Sequence, residues 1–379
     1  MKKYLALLLF MACLPLAAKK DPVRIVTPAS CERIVYVGRT LVEGDQVSLD
    51  WSGSYLRIAF RGDYLAMKVS DTKKNYYNVW LDAEPGPEAD KVISTFGKDS
   101  LVVLYDEAAF KSRYGKKGPE VHTVCIQKRT EGEQGLTTFS SFITAGEILQ
   151  AEPIRPRVIE FIGDSYTCGY GSEHSIATDP FKPETENQNK TYAAIAGRYF
   201  DADIYVIAHS GMGIIRNYNS KLKGYTMVQR YLNVFDNGFD EVPQAPKWSA
   251  DRMSVKPAIT VIYLGANDFS VSLQPIKKAF IKNYITLLKE IKDFYGEDHP
   301  ILCLSAKRDP ELGEYVRDAA LESGMKNVEF LGFSPAVHSS SELGASSHPS
   351  YAGHRKLAYA VIPYIATMTG WPLTDKPVK

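Results

Sequence analysis

The sequence predicts an all-β jelly-roll sandwich over residues 30–150, followed by an α/β domain over residues 157–372 whose sheet holds about five parallel strands covered on both faces. Three observations carry this. Up to about Phe142, short apolar runs of strand length recur between turn-forming residues. Beyond Arg157, such runs alternate with segments of helical periodicity. Between the two regions lies Glu152-Pro153-Ile154-Arg155-Pro156, whose prolines stop pairing because they have no N–H to give to a ladder. At 379 residues the chain is long enough to bury two cores.

In the first region the expected strands are Ile34–Val37, Val47–Trp51, Tyr55–Phe60, Tyr64–Val69, Tyr76–Leu81, Leu101–Tyr105, Val121–Gln127 and Thr138–Ile143. Leu56-Arg57-Ile58-Ala59-Phe60 alternates as a strand with one buried face does. Arg61-Gly62-Asp63 and Glu84-Pro85-Gly86-Pro87 read as turns. About eight short strands at this spacing fit a jelly roll. In the second region the strands are Val158–Ile162, Asp203–Ala208, Ala258–Leu264, Ile301–Leu304 and Val328–Leu331. The helices are Thr191–Tyr199, Pro275–Phe294, Glu311–Glu322 and Tyr351–Met368. Pro275–Phe294 is the clearest of these, with Ile276, Phe280, Tyr284, Leu287, Leu288 and Ile291 on one face.

Met1-Lys2-Lys3 and the apolar run Tyr4–Leu16 read as a secretory signal over residues 1–18, cleaved after Ala17 or Ala18. The run is too short to span a bilayer, and no later stretch is long enough. Phe10-Met11-Ala12-Cys13 also resembles a lipobox, which would put a lipid anchor on Cys13. Under either reading the mature protein lies outside the cytoplasm: secreted, periplasmic or associated with an outer membrane. A formal net charge of +1 and the lack of a basic run argue against a nucleic-acid partner. Cys31, Cys125, Cys168 and Cys303 could pair in an oxidising compartment, although buried free thiols are ordinary in strands such as those of Cys125 and Cys303. Without Cys-x-x-Cys, His-Glu-x-x-His or a Gly-rich phosphate loop, neither a metal nor a cofactor is expected.

The chemistry-bearing residues fall at strand and loop ends. The strand Val158–Ile162 runs into Gly163-Asp164-Ser165, which sets a hydroxyl at the carboxyl end of a strand, where open α/β sheets keep their sites. A serine needs a base to become a nucleophile, and histidine has a suitable pKa. Of seven histidines, His348 stands before Pro349 in a helix-entry loop, where a ring can be aimed, whereas His354 falls inside the helix and packs. Acyl transfer also needs donors toward the developing oxyanion. Ser210-Gly211-Met212-Gly213 offers a tight glycine turn and Asn267 a side-chain amide. Asp164 and Asp268 read as residues that hold loops. No Gly-x-Ser-x-Gly elbow surrounds Ser165.

On these residues the chain resembles the SGNH, or GDSL-type, hydrolases. Gly163-Asp164-Ser165, Gly211 or Gly213, Gly265-x-Asn267-Asp268 and His348-Pro349 match the family's four blocks. The resemblance implies a flavodoxin-like domain, Ser165 as nucleophile, His348 as base, and Ser165 N–H, Gly211 (or Gly213) and Asn267 as oxyanion donors. The chain is similar in particular to carbohydrate esterase family two, bacterial acetyl esterases with a β-sandwich ahead of the SGNH domain. The similarity rests on Tyr36-Val37-Gly38-Arg39, Trp51-Ser52-Gly53-Ser54, Lys128-Arg129-Thr130-Glu131 with Gly135, Ile162–Gly171, Arg216-Asn217-Tyr218 and His348-Pro349-Ser350 with His354. It implies an acetylated hemicellulose substrate of xylan or glucomannan type, for which Tyr218 and Tyr166 are candidate sugar platforms.

One position departs from the pattern. Many SGNH enzymes carry Asp three residues before the catalytic His, and Ala345 stands there. Some members of the similar esterase family work with a Ser–His dyad whose ring is held by a backbone carbonyl. Glu342 is a second candidate for that task. Two other activities fit the same residues: an esterase acting on lipid or peptidoglycan, and a non-catalytic carbohydrate-binding protein.

Overall fold

A computed structural model of the chain describes residues 23–115, 117–220, 225–236, 246–305, 310–332, 337 and 339–379. The expected signal segment 1–18 and Cys13 lie outside the described residues. The first region is all β apart from one short helix and one helical turn. Its strands are β1 (Ile25–Pro28), β2 (Val35–Val37), β3 (Leu41–Glu43), β4 (Gln46–Leu49), β5 (Tyr55–Leu81), β6 (Lys91–Asp106), β7 (Val121–Lys128) and β8 (Thr137–Leu149), with helix α1 (Glu107–Tyr114) after β6.

The largest difference from expectation is β5, where three expected strands are one strand of 27 residues. Arg61-Gly62-Asp63 does not reverse the chain. Gly62 (φ 134°) faces Gly146 (φ 155°) at a register shift, and a Cβ on either would lie within 2.2 Å of the opposing carbonyl. The two glycines let the strands bend through a bulge instead of turning back. One long bent strand can then pair with β2, β6, β7 and β8 along different stretches, so the eight strands share one hydrogen-bonded network. The short strands β1 and β3, unmarked in the hydrophobic pattern, pair with β8 and β4.

The second region follows expectation closely. Strands β9 (Val158–Gly163), β10 (Asp203–Ala208), β11 (Ile259–Tyr263), β12 (Ile301–Ser305) and β13 (Val328–Gly332) are all parallel in the order β10-β9-β11-β12-β13. Around them lie α2 (Ser165–Cys168), α3 (Tyr192–Phe200), α4 (Met227–Arg230), α5 (Lys277–Tyr295), α6 (Pro310–Glu322) and α7 (Tyr351–Thr369). Every residue of β9 is buried, as both faces are covered. In α5 the residues Phe280, Tyr284, Leu287, Leu288 and Ile291 face the core as expected. Ile276 precedes the first turn and is 74% exposed. The chain passes to β10 on one side of β9 and to β11 on the other, which makes the carboxyl end of β9 the switch point of the sheet.

The two regions share a core. Trp51, Tyr55, Trp80 and Cys125 of the β region pack in one apolar cluster with Val158, Ile207, Ile262 and Leu287. Polar anchors flank it. Tyr55 donates to Asp203 at 2.6 Å, and Trp51 Nε1 donates to the Val234 carbonyl at 2.9 Å. Arg39 reaches the carbonyls of Tyr231 and Asn233 and the buried Glu160 of β9. The four cysteines Cys31, Cys125, Cys168 and Cys303 are free thiols, and burial pushes those of Cys125 and Cys303 up to about 12. Among the described residues no helix is long and apolar enough to cross a membrane.

Candidate active site

β9 delivers Ser165 to the switch point. Gly163 ends the strand, and a Cβ there would meet Thr167 Oγ1 at 2.0 Å, so the tight exit requires glycine. Asp164 caps the next turn by accepting the Tyr166 N–H at 3.1 Å, which leaves Ser165 as the first residue of α2. The Ser165 hydroxyl lies 2.8 Å from His348 Nε2, across 183 residues of sequence.

The other ring nitrogen, His348 Nδ1, lies 3.0 Å from the Ser346 carbonyl. A carbonyl can only accept, so Nδ1 carries the proton and Nε2 is left to accept from Ser165. This supplies the orientation for which Ala345 has no carboxylate. Ala345 is fully buried and packs against Gly171. Glu342, the other candidate, is engaged elsewhere. It accepts the Ser339 N–H at 3.2 Å and pairs with Lys356. Ser346 (φ 51°, ψ 34°) and Ser347 (φ 58°) adopt left-handed backbone, which costs about 1–3 kcal/mol each for non-glycine residues. Their N–H groups are held by the carbonyls of Asp179 and Ala177, both at 2.9 Å. That clamp turns the Ser346 carbonyl toward the ring.

Ser165, His348, Gly211, Asn267, Tyr166 and Tyr218 line one cavity of about 490 Å³, a size suited to a small ligand. Of the two glycine alternatives, Gly211 (φ 79°) lies on this cavity, and its N–H has no hydrogen-bond partner among the described residues. The Gly213 N–H donates to Asn217 Oδ1 at 3.3 Å, and its Cα faces the Arg216 carbonyl and Asp268. Asn267 Nδ2 donates to the Met212 carbonyl at 2.9 Å and to Asp164 Oδ2 at 3.2 Å. An oxyanion arriving there would replace the longer bond. Asp268 accepts the N–H groups of Ile214, Ile215 and Arg216, and so fixes the far end of the glycine turn. Tyr218 is 66% exposed on the rim. Tyr166 is half-buried, stacked on Tyr263 with ring centroids 5.1 Å apart.

Sequence reasoning missed several contributors. Tyr170 lies between Phe181 (3.8 Å between centroids) and His348 (4.5 Å). Glu133 reaches the cavity from a helical turn of the β region. Neither has a local signal, since each acquires its place by folding across distant chain. A buried group beneath the site, Glu131, His209 and Asp236, has the spacing of metal ligands. Burial works against charge on His209, but Asp236 and Glu131 outweigh it and raise its pKa to about 9. Arg230 pairs with Asp236 in the same group.

His354 is buried in α7, its pKa driven down to about 3, first by burial and then by His348. Its neutral form therefore adds stability that is complete above about pH 6.5, the unfolded value, and is lost progressively as pH falls toward 3. The stability advantage of the wild type over His354→Phe should accordingly shrink between pH 7.5 and 5 in urea titrations. Parallel pH profiles for the two proteins would refute this.

A family model described as carbohydrate esterase 2 N-terminal matches residues 36–153, and one described as GDSL-like lipase/acylhydrolase matches residues 159–361. The cellulase/esterase CelE of Acetivibrio thermocellus is 30% identical over 333 residues, which cover 85% of this chain and 38% of that protein. The chain thus spans well under half the length of that relative. An acetylxylan esterase / glucomannan deacetylase of Cellvibrio japonicus is 28% identical over 353 residues, covering 88% and 90% of the two chains. The structure of a family two carbohydrate esterase from Clostridium thermocellum in complex with cellohexaose matches with a TM-score of 0.77 at 28% identity, covering 89% of this chain and 100% of that one. With the GDSL-like model spanning more than half of the chain, directly after the amino-terminal module of carbohydrate esterase family two, this protein belongs to the GDSL-like lipase/acylhydrolase family.

Proposed function

We propose that this protein is a carbohydrate O-acetyl esterase acting outside the cytoplasm on acetylated polysaccharide or oligosaccharide of xylan or glucomannan type. The observation that carries the reading is the contact between Ser165 Oγ and His348 Nε2, 2.8 Å apart in an open cavity. His348 removes the Ser165 proton as the oxygen attacks the acetyl carbonyl. The oxyanion is met by the Ser165 and Gly211 N–H groups and the Asn267 amide. His348 then returns the proton to the departing sugar oxygen. Water, deprotonated by the same ring, cleaves the acetyl-enzyme and releases acetate. The reading needs no metal and no cofactor.

Two further observations favour a neutral sugar ester. Among the described residues that line the cavity there is no Lys or Arg, while Glu133 brings a carboxylate. Exposed Tyr218 offers a flat apolar face of the kind sugars stack on, beside the donors. The names of the Cellvibrio relative and of the cellohexaose complex point the same way. Residues 1–18 as a secretory segment, 30–150 as the β-sandwich and 157–372 as the hydrolase domain complete the proposal. The test is acetate release from acetylated xylan, acetylated glucomannan and acetylated peptidoglycan, run beside acetyl and octanoyl esters of 4-nitrophenol. Release from the two hemicelluloses with preference for the acetyl ester is expected. Release from peptidoglycan alone, or preference for octanoate, would overturn the assignment.

A further inference from the structure

Glu131 belongs to the β region, in the turn that follows β7, yet its side chain ends beneath the oxyanion turn of the α/β region. It is fully buried. Its Oε2 accepts the Ser210 N–H at 2.6 Å and the Cys168 thiol at 3.5 Å. Ser210 adjoins Gly211, and Cys168 is the last residue of α2, the turn that begins with Ser165. One carboxylate oxygen therefore ties the donor turn to the helical turn of the nucleophile.

The backbone around Glu131 is held equally firmly. Lys128 Nζ donates to the carbonyls of Thr130 (2.7 Å) and Glu131 (3.1 Å). The Gly132 N–H donates to Asp236 Oδ2 at 3.0 Å, and Asp236 binds His209 Nδ1 at 2.8 Å. His209 precedes Ser210, so the β region holds the donor turn directly at Ser210 and through Asp236 at His209. With the Ser210 N–H engaged below, the adjacent Gly211 N–H is the one left on the cavity.

We propose that Glu131 is a positioning residue of the oxyanion site, and that the β region thereby completes the hydrolase instead of serving as an appended binding module. This rests on the esterase reading above. Hydrogen bonding by the carboxylate to the Ser210 N–H fixes the His209–Ser210 peptide plane, and so anchors the residue whose following peptide presents the Gly211 N–H. A displacement of about 1 Å at such a donor is enough to cost roughly 100-fold in rate.

The test uses the full chain and 4-nitrophenyl acetate. Glu131→Met has similar length but no acceptor for the Ser210 N–H, and kcat should fall about 10- to 100-fold with KM within about twofold. Glu131→Gln keeps a carbonyl oxygen and should restore kcat to within about threefold of wild type. Should Glu131→Met fail to fold, Glu131→Asp, one methylene shorter, withdraws the acceptor and should lower kcat at unchanged KM. Wild-type kcat in a folded Met or Asp variant would overturn the proposal. So would a Gln variant no better than Met, which would make the residue's role one of charge or packing. An inactive wild type would instead refute the esterase reading, which keeps the two failures distinct.

Discussion

Replacing Ser165 or His348 with Ala should each lower kcat/KM for 4-nitrophenyl acetate by about 10⁴-fold, with little change in the unfolding midpoint. Ser165 supplies the oxygen that forms the acetyl-enzyme, and without a base its hydroxyl stays protonated near neutral pH. Because the two act as one unit, the double variant should be no slower than Ser165→Ala alone. His348 is half-buried at the cavity, and its ring nitrogens meet a loop carbonyl and Ser165, so its side chain lies outside the apolar core. Turnover near that of wild type in either single variant would exclude the assignment. Additive losses in the double variant would show that the two residues work separately.

Removing the Asn267 amide should be the next most damaging change, lowering kcat by about 10²- to 10³-fold while KM moves only a few-fold. The donor is held by the Met212 carbonyl at 2.9 Å, which aims the amide nitrogen whether or not an ester is bound. Its second proton bonds Asp164 at 3.2 Å and becomes available when negative charge develops on the carbonyl oxygen. Stabilisation that appears only in the transition state raises kcat without tightening substrate binding. Asn267→Asp keeps the shape and loses both donors, so it should fall as far as Asn267→Ala. Steady-state kinetics on the two variants decide this, and a kcat within threefold of wild type in either would remove Asn267 from the oxyanion site.

Much of this was legible in the sequence where one segment determines its own structure. The five parallel strands and the helix face of Phe280, Tyr284, Leu287 and Ile291 appear as expected, because period and apolar content act within a single element. The Gly163-Asp164-Ser165 exit was readable for the same reason, since strand, cap and hydroxyl are adjacent. In the β region the same local rules failed at Gly62. A glycine between polar residues serves a turn or a bulge equally well, and the choice depends on Gly146, 84 residues away in sequence.

The sequence by itself determined the two-part organisation and the identities of Ser165, His348, Gly211 and Asn267 as candidates. Tertiary structure decided how they work together. The orienting group for His348 is the backbone carbonyl of Ser346, which every residue possesses and no motif can mark. What makes it usable is a pair of left-handed serines clamped by the carbonyls of Ala177 and Asp179. The preference for Gly211 over Gly213 likewise rests on the folded turn, where Asn217 takes up the Gly213 N–H. Glu131, lying 79 residues before the turn it supports, entered the site only through packing of the two regions. Side-chain type is fixed in the chain, but hydrogen-bond direction and partner are fixed by the fold, and acyl transfer depends on both.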